Sequence, residues 1–234
     1  MDELLRELVD RLKAAYGTDL LSVVLYGSAA SGEFHQKHSD LNVLCVLSRV
    51  GLDELERAAQ LLRWWIKRGQ TAPLLLSTEE IQGATDVFPI EFLDIRENYR
   101  LLQGADLVAS IQVNTAQHRR QLEHELRSRL LRLRKRYLEN QHDRKAVTRL
   151  MLESLPTFAT LFRHALLLAG FPASINKREI FRQAAERFQV GPQPFESLLE
   201  VREGARSMPA AGIRGWFEGY LAGVTNLCAV VNNL

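Results

Sequence analysis

Apolar positions recur along this chain in two rhythms, and the change from one to the other divides it. Leu4, Leu5, Leu8, Val9 and Leu12 share one helical stripe, which predicts a helix over residues 2–16 that Gly17 ends. Leu20 to Tyr26 is then a short apolar β-type run closed by Gly27-Ser28, with a polar loop from Ala29 to Ser39 after it. Leu41 to Leu47 is apolar at nearly every position, as expected of a strand covered on both faces. Helical spacing returns over Leu52 to Lys67, where Trp64 and Trp65 read as core packing plus one half-exposed ring. Pro73 to Leu76 and Phe88 to Ile95 read as two further strands. Strands with interposed helices predict an α+β domain over residues 1–110.

After Gly104 the strand signals stop. His118 to Leu138 carries an apolar stripe of Leu122, Leu126, Leu130, Leu133 and Tyr137, which predicts a long helix. Lys145 to Ala169 predicts another, kinked or interrupted at Pro156. Beyond the break at Gly170-Phe171-Pro172, three more helices are expected over Asn176 to Phe188, Pro194 to Arg202 and Ile213 to Val231. Residues 111–234 therefore read as an all-α helical bundle, with the boundary in 105–117. The apolar helix from Trp216 to Val231 suits either that core or a homodimer.

Composition narrows the class. Of 234 residues, 46% are apolar and 25% charged, the profile of a globular chain rather than a disordered one. The acidic, amphipathic start is no signal peptide, and no apolar run approaches the roughly 18 to 20 residues that span a bilayer. Cys45 and Cys228 lie far apart in apolar stretches and read as buried thiols, so a cytoplasmic location is expected. The net charge of +2 conceals an asymmetry: residues 1–117 carry −6 and residues 118–149 carry +7. A basic segment of that strength suits an anionic partner, RNA or a nucleotide phosphate, with a solvated helix face as the plainer alternative.

The candidate chemistry sits in Val23-Val24-Leu25-Tyr26-Gly27-Ser28 and Ser39-Asp40-Leu41-Asn42-Val43. A strand ending in Gly-Ser and turning into a helix offers backbone N–H groups and a hydroxyl to a phosphate, and glycine lets that phosphate approach closely. Residues i and i+2 of a strand face one side, so Asp40 and Asn42 are expected to point together into one cleft. Two acids there would share divalent cations that bridge nucleotide phosphates.

These segments resemble the nucleotidyltransferase superfamily related to DNA polymerase beta. The family pattern is a hydrophobic strand, Gly-Ser, a spacer of about ten residues, acid–hydrophobic–acid, and later a third acid on another strand. Gly27, Ser28 and Asp40 match it. The resemblance implies a mixed sheet with flanking helices and, after it, a helical domain. It also implies transfer of a nucleoside monophosphate from an NTP to an acceptor hydroxyl, with Mg2+ at Asp40 and Asn42. The third acid falls in Phe88 to Ile95, where Glu91 or Asp94 would be general base and metal ligand. On a strand these two face opposite sides, and Glu91 is favoured because it sits like the strand glutamate of aminoglycoside nucleotidyltransferases.

Two positions depart from the pattern. Ser31 stands where many relatives carry Arg, and Asn42 takes the second acid position. An amide offers a metal an oxygen but no charge, and a unit charge pair at about 4 Å is worth roughly 4 kcal/mol at an effective dielectric near 20. Asn42 therefore raises an alternative: a catalytically impaired homologue that binds nucleotide, RNA or a protein for regulation. An aminoglycoside acceptor is disfavoured, because a polycation wants an acidic wall and residues 118–149 are basic. His35 and His38 read as a solvated loop, and the Arg136–His142 spacing of a helical ribonuclease family reads as coincidence.

Overall fold

The computed structural model describes residues 1–30, 41–208 and 212–234. They fall into two units, Met1–Asn114 and Thr115–Leu234. In the first, α1 (Asp2–Tyr16) leads into β1 (Leu20–Tyr26) and β2 (Asn42–Leu47). Two short helices come next, α2 (Leu52–Arg57) and α3 (Ala59–Ile66), where the spacing suggested one. Then come β3 (Leu74–Ser77), α4 (Thr78–Ala84), α5 (Pro89–Glu97) and β4 (Tyr99–Gly104). The strands form one mixed sheet in the order β3-β2-β1-β4, with β1 antiparallel to both neighbours and β3 parallel to β2.

Strand alternation sorts the central residues onto two faces. Val23, Leu25, Val43, Cys45 and Leu47 pack with Leu5, Leu8 and Leu12 of α1 and Leu61 and Trp65 of α3. Val24, Leu44 and Val46 face the other way, against Ile81, Phe92, Ile95, Val108 and Ile111. Burying both faces is what the unbroken apolar runs require, at about 1.5–3 kcal/mol for each fully buried Val or Leu. Trp65 is fully buried and donates from Nε1 to the Thr71 carbonyl at 2.6 Å. Trp64 lies between the guanidinium groups of Arg11 and Arg68, each 4.4 Å from its ring. Gly104 ends β4 at φ +83°, and a Cβ there would run into the Leu21 carbonyl of β1.

Residues 88–95 are the main correction to the sequence reading. They form α5, not a strand, and the fourth strand is Tyr99–Gly104. Pro89 occupies the first turn, where its missing N–H costs nothing, with Glu91 also there and Arg96 in the last turn. Ile90, Phe92, Leu93 and Ile95 are all buried, so the run is apolar nearly all round and its periodicity is silent.

The second unit holds α6 (Thr115–Asn140), α7 (Arg144–Leu168), α8 (Lys177–Phe188), α9 (Gln193–Arg202) and α10 (Ile213–Asn233). Helix α7 packs against each of the other four. Asp143 caps it, accepting from the Lys145 and Ala146 N–H groups at 2.8 and 3.1 Å. Of the two outcomes expected at Pro156, a kink or an interruption, the interruption does not occur, since α7 runs through it. A proline orphans the carbonyl four residues back, and here that carbonyl, of Leu152, accepts from Arg202 Nη1 at 3.3 Å. Tyr220, Val224, Leu227 and Val231 of α10 are buried inside this unit. Among the described residues no helix is long and apolar enough to cross a membrane.

Candidate functional site

Strand β1 stays buried up to Leu25 and ends at Tyr26, where the chain must turn. Gly27 makes the turn at φ +77°, which an L side chain rarely adopts. Gly27–Ala29 then form a single 3-10 turn, closed by the Ala30 N–H on the Gly27 carbonyl at 3.0 Å. Among the described residues the helical part of this turn is Gly27–Ala29. The Gly27 N–H is also already used: it donates to the Asn98 carbonyl at 2.8 Å, just beyond α5. Ser28 is exposed on this turn.

Asn42 opens β2 directly opposite Tyr26, which pairs on its other side with Tyr99. Three strand ends therefore meet here. By alternation Asn42 lies on the face of Leu44 and Val46, the side covered by Phe92 and Ile95 of α5. The Asn42 Nδ2 lies 3.3 Å from where a Cβ on Gly27 would stand, so the bare glycine makes room for the amide. The start of β2 is fixed by the Leu41 N–H, which donates to Gln70 Oε1 at 3.1 Å. Tyr99 donates to Asp106 Oδ2 at 2.8 Å, a bond that raises its phenol above the ordinary value, while burial raises that of Tyr26.

Asp40, with Ser31, His35 and His38, lies outside the described residues. Glu91 and Asp94 are on α5, Glu91 exposed in its first turn and Asp94 half-buried in its middle. Because they stand three apart on a helix, they lie on neighbouring parts of one face, which overturns the either-or of strand alternation. Asn98, four residues beyond Asp94, holds the Gly27 turn. A rise of 1.5 Å per residue puts Asp94 about one turn from that junction and Glu91 about two. Sequence reasoning missed β4, Asn98 and Gln70; the apolar Leu101-Leu102 ahead of Gly104 was the available signal for β4.

No family model matches the chain, and no curated protein matches it by sequence. A search of solved structures does find a match: the crystal structure of spectinomycin adenyltransferase AAD(9) from Enterococcus faecialis with ATP and spectinomycin. The likeness covers 97% of this chain and 99% of that one, at a TM-score of 0.56 and 13% identity. The chain has a nucleotidyltransferase fold. The match takes in the mixed sheet and the helical C-terminal unit alike, as the motif-based resemblance implied.

Gly27, Ser28 and Asn42, the described residues of the motif expected from the sequence, stand at this edge. Among the described residues no group of three or more His, Cys, Asp or Glu side chains is placed to hold a metal ion. Asn42 contributes a neutral amide, and with Asp40 the motif supplies one charge fewer than an acid pair.

Proposed function

We propose that this protein binds a nucleoside triphosphate at the Gly27–Ser28 edge and transfers its nucleoside monophosphate to an acceptor hydroxyl. The observation that carries the reading is the junction of Gly27, Asn42 and Asn98 at the ends of three strands, in a chain 97% of which matches the fold of an adenyltransferase solved with ATP. Ser28 donates its hydroxyl to a phosphate oxygen, and the Gly27 turn lets that phosphate come close. The Asn42 amide, in the orientation that packs its nitrogen on Gly27, donates to the same anion. A carboxylate of α5 accepts the proton of the acceptor hydroxyl; its oxygen attacks the α-phosphorus and pyrophosphate leaves. Asp94 is the better placed acid, by one helical turn, with Glu91 as the alternative. Mg2+ at Asp40, with the Asn42 oxygen as a weak second ligand, would neutralise phosphate charge.

Two observations conflict over the acceptor. The solved relative was crystallised with spectinomycin, whereas the basic charge of residues 118–149 argues against a cationic amino sugar. Incubation with labelled ATP, Mg2+ and spectinomycin decides it. Adenylylated spectinomycin would overturn the charge argument, and pyrophosphate release only with other hydroxyl acceptors would support it. Absence of nucleotide binding by calorimetry at millimolar Mg-ATP would overturn the proposed function altogether.

Asn42 supports a second reading, a nucleotide-binding homologue that has lost transfer and acts as a regulator. Binding without turnover in the natural chain, with transfer gained in Asn42→Asp, would favour it. Equal turnover in both would exclude it.

A further inference from the structure

The second unit carries a cationic groove outside the residues of the proposed transfer site. Arg129, Arg132 and Arg136 stand at i, i+3 and i+7 of α6, and so lie along one side of the helix. They line a cavity of about 160 Å3 whose other wall is α7, with Glu153 and Thr157 at its rim. The floor is apolar and buried, made by Leu133, Leu150 and Phe158.

Several of the basic side chains of α6 are committed. Arg127 pairs with Glu123 at 2.8 Å, Arg129 with Glu125 at 3.0 Å, and Lys135 reaches Glu139 at 4.0 Å. Arg119 donates to the Val231 and Asn232 carbonyls at the end of α10. Arg132 and Arg136 are exposed and make no ion pair among the described residues. They are held on a rigid helix, facing a cavity, with their charge unspent.

The dimensions and polar groups select the ligand. From Arg129 to Arg136 the helix rises about 10 Å, more than one phosphate needs and suited to successive phosphates of one strand. Glu153 would repel an inorganic polyphosphate, yet it accepts a hydrogen bond from a ribose 2′-hydroxyl, and Thr157 can bond the same sugar. We propose that the α6–α7 groove binds the sugar-phosphate backbone of single-stranded RNA, with Arg132 and Arg136 on its phosphates and Glu153 on a 2′-hydroxyl. The site stands independently of nucleotidyl transfer, and either can fail alone.

The test is fluorescence anisotropy of labelled single-stranded RNA and DNA of one sequence against the full chain, over a range of salt. Arg132→Gln/Arg136→Gln is compared with Lys177→Gln/Arg214→Gln, which removes two exposed charges elsewhere in the same unit. The arginine pair is expected to weaken RNA binding about tenfold and to flatten the log–log salt slope by about 1.4, while the control changes little. Glu153→Gln should narrow the preference for RNA over DNA. Excess tripolyphosphate should leave most RNA bound. Equal losses in the two double variants, equal affinity of the natural chain for RNA and DNA, or complete displacement by tripolyphosphate would each overturn the proposal. So would the absence of RNA binding at low salt.

Discussion

Asn42 and Gly27 are best understood as a pair. A side chain on Gly27 would meet the amide at 3.3 Å and would stand at a positive φ, so each residue constrains the other. Gly27→Ala must place a Cβ at positive φ and 3.3 Å from the Asn42 nitrogen. A loss of about 1–2 kcal/mol in unfolding free energy is expected, measured by denaturant titration, together with weaker ATP binding. Asn42→Asp adds a charge at the motif's second acid position. Calorimetry should show magnesium-dependent ATP binding strengthened at least about tenfold, since even 1.4 kcal/mol of the Coulomb gain gives that factor. At Cys45, burial pushes the thiol pKa up to about 12, so the native chain should leave it unlabelled by iodoacetamide at pH 8 while the unfolded chain reacts. That burial was legible from the apolar run around it.

At the scale of elements, legibility depended on whether a run buries one side or all of itself. Strands β1 and β2 announced themselves, since seven-residue apolar runs bounded by Gly and polar loops are too short for helices. Helix α6 showed an apolar stripe over several turns, and α7 and α10 are apolar runs too long for strands. Segment 88–95 buries residues on every side, so alternation and helical spacing fit it equally, and only Pro89 with the charges at its two ends favoured a helix. That error carried straight into the site, because side-chain direction is set by element type. The consequence is testable. Asp94→Asn is expected to lower kcat by about 100-fold or more with modest change in KM, the scale of a lost general base. Glu91→Gln should matter far less; the reverse ranking would restore Glu91.

For the whole molecule, charge is segregated by unit: −6 in the first and +8 in the second. This was visible in the sequence, whereas the arginine face of α6 was not. By spacing alone its arginines spread around the helix; only the position of α7 shows which of them share a groove. The pH limits of stability were hidden for the same reason, since they rest on long-range contacts. Hydrogen bonding to Arg100 lowers the pKa of Asp2, and hydrogen bonds from Ser48 and Arg57 lower that of Asp19. Groups that bind protons less tightly when folded contribute stability in full above their unfolded values, near pH 4, and lose it as pH falls through the folded ones. Burial pushes Tyr16 up to about 12 while its hydroxyl donates to the Glu54 carbonyl at 2.9 Å. Its share of stability is complete below about pH 10 and disappears between 10 and 12. Melting temperature against pH should therefore fall at both ends, with tyrosinate absorbance rising together with alkaline unfolding rather than ahead of it.

The bond from the Gly27 N–H to the Asn98 carbonyl makes the candidate site observable without any assay of turnover. That proton, hydrogen-bonded at the junction of β1 and β4, should exchange with solvent only when the turn parts from the end of α5. Its exchange rate in a deuterium experiment is thus a clock for the opening of this edge. A ligand seated on Ser28 should slow that clock, and one bound elsewhere should leave it unchanged.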